Sequence, residues 1–253
     1  MARKRKRGQR YRRGRFGFLY VLLSFLLILA AVLAGSFIFF RVDVITVEGN
    51  SRYSREEVIA ASGVAPGDNL FALNGHTVAE RIHAALPYVR ESTIERDLPS
   101  GLVLRVTESQ PAASLRTSEG WCLIDTRGKL VELGEDGLKG RAAQVTGLSV
   151  LEPVVGVRIQ VEEEQQTKLD ALTQILTAME ARSMLSGLDY AKLTSSNLVE
   201  LGYLDRFTVQ LPLNCDFSYK IQALEYVVSM LEENETGLID LTRSDKTHFI
   251  PED

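Results

Sequence analysis

Three histidines, two cysteines and 33 Asp and Glu are the groups in this chain that could do chemistry. His76 and His83 stand seven residues apart and can share a helix face, but paired metal ligands on a helix favour a spacing of four, and no H-E-x-x-H occurs. His248 lies far off near the end of the sequence. Ser114 and Ser118 have no assignable base, and no G-x-S-x-G, P-loop or G-x-G-x-x-G motif appears. Glu162-Glu163-Glu164 reads as a dipole-favoured helix start, with a cation site as the lesser alternative. Cys122 and Cys215 form an even pair. A bridge between them would close a loop of about 90 residues, worth roughly 4–5 kcal/mol in the chain-entropy model, while Cys122 also reads as a buried residue of an apolar strand. The residue types therefore predict no catalytic, metal or cofactor site, and no small-molecule substrate. An envelope enzyme remains an alternative only if groups distant in sequence converge.

The elements around these residues are sorted by charge. Residues 1–15 hold nine Arg and Lys and no acid; residues 16–40 hold no charge; residues 41–253 hold 20 basic against 33 acidic residues. Seventeen of the 25 residues from Phe16 to Phe40 are Leu, Ile, Val or Phe. As a helix they would extend about 37 Å, enough to cross a hydrocarbon core of about 30 Å. A cleaved signal peptide with Val32 and Ala34 before the cut, or a buried core helix, are the competing readings. The basic arm sets the orientation, N-terminus in the cytoplasm and residues 41–253 outside, as a single-pass type II protein. The arm reads as a topogenic and lipid-facing segment rather than a nucleic-acid tail.

Past the apolar run, Val42 to Val47 predict a strand. Ser54 and Glu57 form a capping box before a short helix, and Gly63 suits its end. Asn74 or Thr77 can cap a second helix that Pro87 stops. Residues 88–96 and the alternating Leu102, Leu104 and Val106 predict two more strands, giving β-α-α-β-β over residues 41–110. Further on, Trp121 to Val131 predict two strands about a turn. A helix is expected over 163–183, strands over 190–195, 197–203 and 206–212, and a helix over 217–233. Two short strands follow, Leu238-Ile239-Asp240-Leu241 and Thr247-His248-Phe249-Ile250. The whole is α+β: one transmembrane helix, a β-α-α-β-β unit, then a mixed, mainly antiparallel β domain with two helices. The boundaries fall at 1–15, 16–40, 41–110, 111–236 and 237–253.

The pieces Val47-Glu48-Gly49-Asn50, Pro66 to Phe71, Leu86-Pro87-Tyr88-Val89, Leu98-Pro99 and Glu108 to Ala113 are similar, in order and spacing, to the POTRA domain of the FtsQ/DivIB bacterial cell division family. Ser109 stands where that family usually has Arg. The resemblance extends through the β domain. It implies a non-catalytic divisome protein of the cell membrane that scaffolds septation and contacts FtsL-like and FtsB/DivIC-like single-span proteins. Partner strands would add to an exposed edge at 238–241 or 247–250; in the competing reading these strands only complete the core. A POTRA-type chaperone or transport component is the other alternative.

Overall fold

In the computed structural model, residues 16–243 and 246–252 are described. The basic arm, residues 1–15, lies outside the described residues. α1 (Phe16–Phe39) follows as a 24-residue uncharged helix whose described side chains are mostly exposed, Phe18, Leu22 and Leu26 among them. Those side chains are described without a break over 17–32, about 24 Å of helix. Among the described residues no helix is long and apolar enough to cross a membrane. The helix expected over 16–40 forms over Phe16–Phe39.

The first folded unit has β1 (Val44–Glu48), α2 (Arg55–Ser62), α3 (Gly75–Ala85), β2 (Val89–Asp97) and β3 (Gly101–Glu108). Local chemistry sets the helix limits. The Glu57 N–H donates to Ser54 Oγ at 3.2 Å, and the Ser54 N–H to Glu57 Oε2 at 2.8 Å. The Ser54 N–H first, and then its hydroxyl, also 2.8 Å from Glu57 Oε2, hold the Glu57 carboxyl below its ordinary pKa. Gly63 closes α2 at φ +67°. Asn74, not Thr77, caps α3, accepting from the His76 N–H at 3.0 Å. The sheet order is β1-β3-β2, with β1 parallel and β2 antiparallel to β3. Val58, Val78, Ile82, Leu102, Leu104 and Val106 fill the core between helices and sheet.

The second unit adds β4 (Ala113–Thr117), β5 (Gly120–Ile124), β6 (Leu130–Gly134), β7 (Ala143–Thr146), β8 (Val150–Leu151), β9 (Gln160–Val161), α4 (Gln166–Glu180), β10 (Leu188–Lys192), β11 (Leu198–Tyr203), β12 (Phe207–Pro212), α5 (Phe217–Met230), β13 (Gly237–Asp240) and β14 (His248–Pro251). Nine strands make one sheet in the order β14-β13-β12-β11-β10-β7-β4-β5-β6. Its joins are mainly antiparallel; β4–β7, β7–β10 and β12–β13 are parallel. Leu169, Leu172, Ile175, Leu176 and Met179 of α4 share a core with Ile221 and Leu224 of α5 and with the sheet. The long helix expected from 163 begins as a short 3₁₀ turn over 163–165, and α4 proper ends at Glu180.

The two units meet over a mixed joint. Tyr88, Trp121, Leu123, Val131 and Leu138 make a small apolar cluster, with Tyr53 packed against it. The Tyr88 hydroxyl donates to Glu132, the Arg52 guanidinium lies 3.8 Å from the Tyr88 ring centre, and Arg141 pairs with Glu132 at 2.9 Å. Burial and the Glu132 partner push the Tyr88 phenol up to about 12. Ser109, where the resembled family usually has Arg, is buried and donates to Asp125 Oδ2 at 2.9 Å. Asp125 Oδ1 accepts from the Arg127 and Lys129 N–H groups, both at 2.9 Å, so one carboxylate shapes the β5–β6 turn and holds the linker.

Candidate functional site

Asp240 and His248 face each other across β13 and β14, at the C-terminal end of the nine-stranded sheet. The short strands expected at 238–241 and 247–250 are both formed, but they hold different positions. β13 pairs in parallel with β12 and antiparallel with β14, so it is interior. β14 pairs with β13 and ends the sheet. Of the two expected edge segments, only the second is an edge.

Burial follows this division. Ile239 and Leu241 are enclosed in the core, and Leu238 and Asp240 are half-buried. Thr247 and His248 are exposed, Phe249 packs inward, and Ile250 is 53% exposed. The Phe249 ring meets Phe207 edge-on at 6.1 Å. Phe249 thus completes the core while Ile250, one residue on, faces water, as strand alternation requires.

Several bonds fix the edge in place. Arg206 donates from Nε to the Glu235 carbonyl at 3.1 Å and from its terminal nitrogen to the Glu232 carbonyl, holding the chain as it enters β13. The half-buried Thr242 N–H donates to Asp240 Oδ1 at 2.8 Å. The Thr242 side chain first, this backbone bond second, and then His248 and Arg243 hold the Asp240 carboxyl below its ordinary range. Buried Lys220 on α5 donates to the Arg243 carbonyl, tethering the segment between β13 and β14. On the solvent face Thr208, Gln210, Leu238, Ile250 and Pro251 line a hollow of about 360 Å³. Thr208 and Gln210 were not singled out in the sequence, although the inward alternation of Phe207, Val209 and Leu211 implies that both point outward.

An unpaired strand edge beside such a hollow is suited to strand addition. In strand addition, backbone bonds along an edge give affinity and pockets for alternate side chains give register. His76 pairs with exposed Glu80 at 3.2 Å. The His83 ring contacts the Val89 carbonyl and the Ser92 hydroxyl, both at 3.2 Å. Cys122 and Cys215 are free thiols, and burial pushes the Cys122 thiol up to about 11. Among the described residues, no three His, Cys, Asp or Glu side chains converge to hold a metal.

Comparison with known proteins bears out the resemblance. Residues 40–109 match the family model of the FtsQ-type POTRA domain. The chain is 34% identical over 94 residues to the cell division protein FtsQ of Corynebacterium glutamicum, covering 37% of this chain and 42% of that relative. It is 26% identical over 232 residues to FtsQ of Syntrophotalea carbinolica, covering 89% of this chain and 79% of the relative. It is 22% identical over 205 residues to the cell division protein DivIB of Clostridium acetobutylicum, covering 81% and 80%.

Proposed function

We propose that this chain, similar to the FtsQ/DivIB cell division proteins along most of its length, is a non-catalytic, single-pass scaffold of the divisome. Residues 1–15 lie in the cytoplasm and residues 16–40 span the cell membrane. The POTRA-type unit, 41–110, the β domain, 111–236, and the terminal strands, 237–253, stand outside at the division septum. The scaffold links other division proteins to septal peptidoglycan synthesis. The single observation that carries this reading is the β14 edge, unpaired among the described residues, backed by β13 and faced by a hollow.

The partners are FtsL-like and FtsB/DivIC-like single-span proteins, which would add a strand to β14. Residues Leu238, Ile239, Asp240 and Leu241 act by holding that strand from behind, and Thr247, His248, Phe249 and Ile250 present it. Supporting this reading are the relatives named as cell division proteins and the exposure of Ile250 beside a paired, inward Phe249.

The test is Ile250→Lys in the chromosomal copy, with Ile250→Val as control. Edge lysines blunt strand addition without disturbing the strand behind them. The expected result is filamentous growth and a fall of about tenfold in partner affinity, about 1.4 kcal/mol, with an unchanged melting temperature. Normal septation and unchanged co-purification of the single-span proteins would overturn the assignment.

A further inference from the structure

The end of the POTRA-type unit from which α1 departs carries exposed apolar side chains that the partner edge does not explain. Three segments meet there. Val44 of β1 lies opposite Gly101 of β3, so the β2–β3 turn sits beside the entry to β1. The Asp43 and Val44 N–H groups both donate to the Ser100 carbonyl, at 2.9 and 3.3 Å. The loop at 66–73 is tied to the same place, the Val42 N–H donating to the Asp68 carbonyl at 2.8 Å and the Leu70 N–H to the Phe40 carbonyl at 3.0 Å. Arg96 staples that loop to β2, donating to the Leu70 and Leu73 carbonyls at 2.7 and 2.9 Å.

On this platform Phe39, Phe71, Val44 and Leu98 are each more than half exposed. The Phe40 ring meets Phe39 edge-on at 5.2 Å and Phe71 at 4.9 Å, a run of rings from the last turn of α1 onto the loop. The exposure does not come from loose packing, because Leu70 and Leu102, neighbours of these residues, are enclosed in the core. Apolar side chains scattered singly over a surface are ordinary; several gathered at one end mark a contact face.

We infer that this face rests against the membrane–water interface, with Phe71 and Leu98 dipping into it beside the helix end. The inference rests on the reading of α1 as a membrane anchor. Continuity identifies the occupant, because the apolar helix leaves from the same end, and aromatic rings settle at headgroup level. Charge decides the manner of contact. Arg41 and Arg96 are matched there by Asp43, Asp68 and Asp97, so attachment is apolar rather than an attraction to anionic lipid. Both loops are bonded to the POTRA-type core, and the contact therefore fixes the tilt of the whole unit on the bilayer.

The test uses the full chain in phosphatidylcholine vesicles whose acyl chains carry bromine either close to the headgroups or near the bilayer centre. The variants are Phe25→Trp in α1, Phe71→Trp, Leu98→Trp, and Tyr226→Trp on α5, each exposed in the native chain. Trp121, enclosed in the joint, supplies a constant baseline. The added emission of Phe71→Trp and Leu98→Trp is expected to be mostly lost to shallow bromine, that of Phe25→Trp to deep bromine, and that of Tyr226→Trp to neither. High salt should leave this pattern unchanged. Quenching of Phe25→Trp with Phe71→Trp and Leu98→Trp as bright as Tyr226→Trp would overturn the inference, turn the face toward a protein partner, and leave the anchor standing. Quenching at 71 and 98 without quenching at 25 would sink the anchor and keep the face on the lipid.

Discussion

The two ends of the nine-stranded sheet are treated differently. At β6 the chain covers its own edge. The Leu130 N–H donates to the Val157 carbonyl at 2.9 Å, the Gly156 N–H to the Leu130 carbonyl at 2.7 Å, and Lys129 bridges to Arg158. The β6 end also abuts the POTRA-type unit through Glu132. At β14 no strand follows in the sheet among the described residues. An unpaired edge is a template for any chain with free backbone groups. Within the nine-stranded sheet this leaves β14 as the bare edge among the described residues.

The largest expected effect comes from removing what backs the bare edge. Ile239 is fully enclosed between β12 and β14. Ile239→Ala should cost about 2–4 kcal/mol, read as a lowered denaturation midpoint, and should weaken strand addition as a consequence. A variant as stable as the parent would mean that β13 does not support β14.

The covered edge can be opened instead. Gly156 sits at φ +89°, left-handed backbone that a branched residue resists. Gly156→Val should cost about 1–3 kcal/mol and loosen the cover. The expected sign is new self-association by light scattering through the freed β6 edge. A monodisperse, fully folded variant would show that something other than residues 156–159 protects this side.

The smallest effect follows from pH at the joint. The Tyr88 phenol is raised, by burial first and by its Glu132 partner second, so its stabilisation is complete below pH 10 and is lost as pH climbs from 10.0 toward about 12. The Glu132 carboxyl is lowered, chiefly by the Tyr88 hydroxyl, so its share is present above 4.5 and fades as pH falls below that. Trp121 lies in the same cluster. Its emission should hold steady between these limits and shift to the red beyond each, ahead of global unfolding. A shift at neutral pH would contradict the pairing.

Much of this was legible because short-range chemistry determines it. The Ser54–Glu57 box, Gly63 and the alternations in β3 and β12 are written within a few residues. β4 and β7 were not legible. Ala113–Thr117 and Ala143–Thr146 carry little pattern of their own, and their parallel pairing joins segments about 30 residues apart. Nor could composition tell β13 from β14, since being an edge is a property of sheet order. In the sequence Ser109 was only a departure from the resembled family's Arg, whereas the fold places its hydroxyl against Asp125. Thr208 and Gln210 became part of the candidate site only once β14 was seen two strands from β12.

Glu180 closes α4, where a carboxylate meets its own helix's negative pole. The compensating cation, Arg90, comes from β2 of the neighbouring unit, 3.0 Å from both carboxylate oxygens. Severed from its neighbour, the β domain would keep that carboxylate with the Thr126 hydroxyl, 2.9 Å away, but without the Arg90 cation, at the tip of the helix that floors its core. Arg90→Ala should therefore lower the melting temperature of the β domain slightly, a partly exposed ion pair of this kind contributing about 0–1 kcal/mol.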